Sequence, residues 1–350
     1  MSLHLYNNKA YVLNTPSLQK STKEYVLTII DKIYSKLNVE SVTLLDNGIN
    51  YDTYSLKCLD GKFYLLKVSL DPENIQLSRE SFFLKQLKNF ASAKFICLKK
   101  VKVGDDILCL LSQFPNCINL KDAGRGFFLE NADVFFWTHK ALIEQIKPKR
   151  LKSGYLKQLT EHQDFSKNFT DRTKNLIKDY TDYDRLEKIL FSLLNDIRNT
   201  APNISDFSPC LSNITIDSIF LTNSLFFFDK LEDCCKYHPY IDLCDIILNL
   251  SYKDDAKEQI ISMYRSNHKD FDQGKFDSFF DFCVKKKLLE CLSDYLREVY
   301  QLRCFRISKI TDIMSVFYSN FKNFKKLPVF IDNQDFLLKT ITEPVLGVKA

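Results

Sequence analysis

The chain has 350 residues, 45 % of them apolar, and a net charge of +5 at pH 7, a size that suits two lobes or domains with a sizeable buried core. No apolar run reaches the roughly 18 residues a membrane span needs, the first residues lack the basic-then-apolar layout of a signal peptide, and the lysines alternate with Asp and Glu instead of forming a basic stripe. A cytoplasmic protein with no membrane and no nucleic-acid partner is expected.

Eleven cysteines are scattered without a Cys-x-x-Cys. Only Cys234 and Cys235 are adjacent, and with His238 they make three of the four ligands a structural zinc site wants. Reduced thiols are the expectation.

Residues 1–20 show no clear period. Ser21 and Glu24 then have the spacing of a capping box, predicting a helix over 22–37 with Tyr25, Ile29, Ile33 and Leu37 on one face. Three apolar-rich runs follow, at 42–45, 51–59 and 63–68. The first two are joined by a turn beginning Asp46-Asn47-Gly48, the second and third by Asp60-Gly61. Asp-Gly is a strong hairpin signal, because the tight turn needs a positive φ that glycine supplies without steric cost.

The third run carries Lys67 near its end, and the next helical pattern (Leu77, Glu80, Ser81, Leu84, Leu87) carries Glu80. Protein kinases hold the phosphates of ATP with a lysine on the third strand and a glutamate on the next helix. An ordinary meander with a solvated lysine is the alternative on this stretch alone.

Runs at 95–103 and 107–114, split by Gly104-Asp105-Asp106, predict a second hairpin. Five strands with one helix after the third would make a compact N-terminal lobe over 41–115, preceded by a segment and helix over 1–40. The stretch Ser112-Gln113-Phe114-Pro115-Asn116 reads as a hinge, leaving 116–350 as a helical C-terminal lobe. Helices are predicted at 132–146, with Val134, Trp137, Leu142 and Ile146 on its pattern, and at 183–199. His139 is expected to pack on the core. Residues 201–229 lose the helical period and read as loop, short strand (214–216), turn and strand (220–228). Helices then return from 241 to about 323.

The interruption at 201–229 contains Ser208-Pro209-Cys210-Leu211-Ser212-Asn213-Ile214, then Phe228-Asp229, then Asp242-Leu243-Cys244. This order resembles the aminoglycoside phosphotransferase and choline kinase family, whose motifs are His-Gly-Asp-Leu-x-x-x-Asn, Ile-Asp and Asp-Leu-Ala. The resemblance covers about residues 40–300, and the individual motifs are degenerate. It implies an α+β fold of the bilobal protein-kinase-like type, with a small five-stranded N-lobe and a mostly helical C-lobe. It implies ATP and Mg as cofactors. It places Lys67 and Glu80 at the phosphates, with Gly48, Asn50 and Gln113 as further nucleotide contacts. Asn213 and Asp229 become the metal ligands, and Asp242 the prop of the catalytic loop; on the residues alone, Asp242 would be a helix N-cap.

One position departs from the pattern. The family's catalytic aspartate falls on Ser208 and its histidine on Asp206. Serine at its ordinary pKa does not accept a proton from an acceptor hydroxyl, so two readings stand open. The chain is either a phosphotransferase acting on a hydroxyl or amino group of an unknown small-molecule or protein acceptor, with Asp206 or Ser208 facing it, or a nucleotide-binding pseudokinase that serves another enzyme as partner or scaffold. Asp245, Asp281 and Glu290, on the helices expected to form the acceptor side, read either as a lining for a cationic acceptor or as solvated helix faces.

Overall fold

A computed structural model describes residues 16–47, 51–87, 90–147, 151, 182–200, 202, 207–222, 225–249, 254–296 and 307–346. The chain forms two compact units. The first comprises Met1–Lys149 together with Ile216–Cys234; the second comprises Arg150–Thr215 and Cys235–Ala350.

The first unit is built on an antiparallel sheet of β1 (Val39–Asn47), β2 (Asp52–Cys58), β3 (Phe63–Ser69), β4 (Lys94–Val103) and β5 (Asp105–Phe114), in the order β1-β2-β3-β5-β4. The turns at Gly61 (φ 77°) and Gly104 (φ 79°) use the positive φ that the sequence anticipates there. Strand alternation gives β3 two faces. Tyr64, Leu66 and Val68 pack with Val26, Ile29, Ile30 and Ile33 of the helix Pro16–Tyr34. Truncating a buried isoleucine of this set to alanine is expected to cost about 2–5 kcal/mol. That helix starts at Pro16, not at the Ser21–Glu24 box; proline's fixed φ suits a first helical position, where a missing N–H costs nothing. Leu37 lies past its end yet still packs on the core.

On the other face of β3 is Lys67, with Thr53 of β2 and Leu110 of β5 as its register partners. The helix Ile75–Gln86 follows β3, burying Leu77, Glu80, Phe83 and Leu84. Its N-cap, Asn74, accepts from the Leu77 N–H at 2.9 Å and donates through Nδ2 to the Ser69 hydroxyl at 3.1 Å. The helix start is thereby tied to the end of β3.

The same unit contains β6 (Ile118–Asn119), β8 (Ile219–Leu221) and β9 (Phe226–Phe228), paired in the order β6-β8-β9. The expected strand 220–228 is therefore a hairpin, broken where Thr222 bonds back to Leu225. The expected strand at 214–216 is absent; Ile216–Ser218 is a single 3-10 turn. On the helix Ala132–Gln145, Trp137 and Val134 face outward, while Phe135, Phe136 and His139 are buried. The His139 ring stacks on Phe135 with centroids 6.1 Å apart.

The second unit is mostly helical. The helix Gln273–Leu296 packs against Tyr183–Asn199, Ile241–Asn249 and Ile307–Ser319. A two-stranded sheet, β7 (Ser208–Cys210) with β10 (Cys235–Tyr237), stands beside them. Further helices lie at Asp254–Asn267, Phe321–Phe324, Pro328–Ile331 and Gln334–Leu346. No described helix is long and apolar enough to cross a membrane.

Candidate functional site

In the first unit Lys67, Glu80 and Asp229 meet. The Lys67 ammonium lies 2.8 and 2.9 Å from the two Glu80 carboxylate oxygens and 2.8 Å from Asp229 Oδ1. Side-chain exposure is 2 % for Lys67, 3 % for Glu80 and 11 % for Asp229. A buried ammonium would ordinarily lose its proton. Burial does pull Lys67 that way, but Asp229 and then Glu80 hold its pKa well above the usual lysine value. Burial works against ionisation of Asp229 too, yet Lys67 carries its pKa below the usual range. These two are a fixed ion pair.

Backbone contacts explain why Asp229 arrives at that point. The Phe228 N–H donates to the Ala91 carbonyl at 3.0 Å, and the Asp229 N–H to the Ser218 carbonyl at 2.9 Å. Lys230 then takes a left-handed φ of 59°, turning the chain into the 3-10 turn Leu231–Asp233. Arg79 Nη2 donates to the Cys234 carbonyl at 2.9 Å, tying the Glu80 helix to this segment.

Two side chains that the sequence did not single out join the cluster. The Tyr51 ring lies with its centroid 5.3 Å from the Lys67 ammonium, within reach of a cation–π attraction. Its hydroxyl donates to Glu232 Oε1. Glu232 is buried, its pKa raised chiefly by that burial, and its Oε2 has no hydrogen-bond partner among the described residues. The only sequence signal for it was an acidic pair, Glu232-Asp233, three residues beyond Asp229. Gly48 and Asn50 lie outside the described residues. Gln113 is on β5, half-buried, between Tyr64 and Lys94 of the neighbouring strands, and its strand partner set does not include Lys67.

In the second unit, Ser208 opens β7 opposite Tyr237, half-buried; Asp206 lies outside the described residues. Ser212 and Asn213 follow with φ of 58° and 53°, a consecutive left-handed pair that costs most residues strain and asparagine least. Asp242 holds the loop in that shape. Its Oδ2 accepts from the Leu211 N–H at 2.9 Å and its Oδ1 from the Ser212 N–H at 2.7 Å. The N-cap reading of Asp242 is thus corrected: the residue is inside the first turn of its helix and spends both oxygens on the loop. Asn213 is exposed.

Neither reading of the acidic helix residues holds as a whole. Asp281 is exposed, but Asp245 is buried, and Glu290 is occupied by Lys286 at 3.0 Å and Lys287 at 2.6 Å. Asp245 Oδ2 has no partner among the described residues, and burial pushes this carboxyl up to about 6 against the opposing pull of Lys286 and Lys287. Among the described residues no three His, Cys, Asp or Glu side chains are grouped to hold a metal ion.

No family model matches the chain, and no curated protein matches it in sequence. Solved structures do match. The amicoumacin kinase hAmiN, in complex with AMP-PNP, Ca2+ and Ami, superposes with a TM-score of 0.58 at 13 % identity, over 89 % of this chain and 97 % of its own. Choline kinase LicA from Streptococcus pneumoniae gives 0.58 at 16 % identity, over 84 % and 98 %. The AMP-bound spectinomycin phosphotransferase APH(9)-Ia gives 0.56 at 9 % identity, over 93 % and 99 %. The chain has the α+β, protein-kinase-like fold of the aminoglycoside phosphotransferases and choline kinase, with the five-stranded sheet in its N-terminal part.

Proposed function

We propose that the chain is an ATP- and magnesium-dependent phosphotransferase acting on a hydroxyl or amino acceptor. The observation that carries this reading is the buried Lys67 ammonium, held by both oxygens of Glu80 and by Asp229 at 2.8–2.9 Å. A lysine fixed in this way presents a positioned positive charge to phosphate oxygens, and its glutamate keeps it from wandering. The structures named above are of kinases and phosphotransferases, two of them bound to AMP-PNP or AMP, which favours a nucleotide as the donor and a small molecule as the acceptor.

Asp229, bonded to the Lys67 ammonium, and the nearby Glu232 bring two carboxylates to this cluster, and Glu232 Oε2 has no hydrogen-bond partner among the described residues, which supports a place for a hard divalent cation. Oxygen ligands of this kind suit magnesium, which commonly takes one or two carboxylates and completes its shell with phosphates and water. Asp229 would hold it, with Asn213 as the second ligand by motif order. When bound, the cation supplies neutralisation of phosphate charge. Gly48, Asn50 and Gln113 remain the other proposed nucleotide contacts, and Asp206 the candidate base.

A pseudokinase reading is supported by motif order, which puts Ser208, a strand residue, at the position of the family's catalytic carboxylate. General-base help is worth about 10²–10⁴-fold, so its loss leaves positioning and charge neutralisation alone. Both readings require that Mg·ATP raise the melting temperature of the wild type and of neither Lys67→Ala nor Asp229→Ala. No nucleotide effect on the wild type would sink both. Nucleotide binding without turnover on a broad panel of alcohols and amines would leave the pseudokinase.

A further inference from the structure

We infer that Cys210 and Cys235 form a redox modification site, a reversible disulfide between strands β7 and β10. The two residues are direct register partners in the antiparallel pair. Opposed residues in such a pair have Cα atoms about 4.5–5.5 Å apart, within the roughly 4.4–6.8 Å that disulfides span. The sulfurs are already 3.7 Å apart, so bond formation asks for about 1.7 Å of closure to reach a normal S–S length. Cys210 Sγ also points at the Cys235 carbonyl, 3.4 Å away, which holds the thiol on the partner strand's side. Cys244 and Cys283 also interact as thiols, but they sit on two helices, where no strand register fixes the Cα spacing.

The chemistry needs a hydroperoxide as oxidant. One thiol takes an oxygen from the peroxide, becoming a sulfenic acid and releasing the peroxide's other half as alcohol or water. The second thiol then attacks that sulfur; the S–S bond forms and the sulfenic oxygen leaves as water with the remaining proton. Two thiols are oxidised and one peroxide is reduced.

The location gives the bond a consequence. The chain leaves the second unit after Thr215 and returns to it at Cys235, so a 210–235 disulfide closes a covalent loop around everything in between. That loop holds the left-handed pair Ser212–Asn213 and the segment bearing Asp229 and Glu232. Cross-linking residues 25 positions apart narrows the unfolded ensemble, so the oxidised chain should melt higher.

Because both thiols are buried, the test treats the full chain with stoichiometric hydrogen peroxide and then with N-ethylmaleimide in denaturant, followed by digestion without reduction and mass spectrometry. A linked Cys210–Cys235 peptide two hydrogens lighter than the sum of its thiols is expected, reversed by dithiothreitol. Oxidation should raise the melting temperature of the wild type and of Cys244→Ser, but not of Cys210→Ser or Cys235→Ser. Should either serine variant fail to fold, the dithiothreitol-reversible linked Cys210–Cys235 peptide of the wild type decides alone. Unchanged labelling of both thiols overturns the inference. So does linkage of either to Cys234 or Cys244, or oxidation of either to a sulfinic acid without a cross-link.

Discussion

Lys67 Nζ stands 2.8 Å from Asp229 Oδ1, a contact across 162 positions of chain. It joins the middle of one sheet to a residue that leaves a separate hairpin, and it does so within one compact unit. Because Lys67 is also bonded to both oxygens of Glu80, its removal strands two buried carboxylates. Lys67→Met is expected to lose about 3–5 kcal/mol of stability, the usual result of breaking one side of a buried ion pair. Adding Glu80→Gln should restore much of that without restoring nucleotide binding. Urea unfolding of the single and double variants, alongside ATP titration, measures both.

Asp229→Asn leaves Lys67 its Glu80 partner, so the stability cost should be smaller, about 1–2 kcal/mol for a weakened charged hydrogen bond. On the proposed function, in which Asp229 holds the cation, the magnesium dependence of nucleotide binding should vanish, since a neutral amide oxygen is a poor substitute for a carboxylate ligand. Titrating ATP with and without Mg2+ would separate the two; a variant that still needs magnesium for tight binding would remove Asp229 from the metal site.

Tyr51→Phe keeps the ring near Lys67 and deletes the hydroxyl that donates to Glu232. Glu232 then has both oxygens buried without that donor, which costs about 1–3 kcal/mol. Combining it with Glu232→Gln should cost less than the sum of the single changes, and a double-mutant cycle by thermal unfolding reads that coupling directly.

The sheet was legible because short apolar-rich runs are separated by turns, two of which carry glycines with positive φ. Lys67 and Glu80 could be picked out by their places on a third strand and the next helix, and Asp229 by resemblance to the family's motif order; the three side chains converge. Tyr51 and Glu232 could not, since nothing local marks a tyrosine beside a turn or a glutamate in an acidic pair as partners 181 residues apart. The start of the first helix was misplaced because a good capping box, beginning at Ser21 inside a helix that starts at Pro16, looked like a start. Asp242 was ambiguous for a different reason. Its local sequence suits a cap, and only the folded loop shows the Leu211 and Ser212 amides waiting for it. The acidic residues on the later helices could not be sorted by pattern, because Lys286 and Lys287 neutralise Glu290 from one and the same helix.

Ser208→Asp places a carboxylate at the position that the family's catalytic aspartate takes by motif order. On the phosphotransferase reading it should raise Mg·ATP turnover by about 10²-fold or more, in line with general-base contributions, while the nucleotide-induced rise in melting temperature stays unchanged. Release of ADP measures the first, thermal unfolding the second. A higher rate only when Asp206 is also intact would assign that residue a share in the proton transfer.

Asp245 sets a pH dependence that can be signed in advance. Its carboxyl, ordinarily near 3.8, is pushed up to about 6 because burial disfavours the anion more than Lys286 and Lys287 favour it. Between those values the folded chain holds a proton that the unfolded chain has released. The contribution of this group is therefore fully present below pH 3.8 and is lost as pH rises towards 6, by up to about 3 kcal/mol, with no further change above that. Asp245→Asn removes the titration, so the variant's stability relative to wild type should climb between pH 4 and 6 and then level off. Urea unfolding of both chains at pH 4, 5, 6 and 7 gives the difference curve; parallel curves would mean that Asp245 ionises in the folded chain as it does in water.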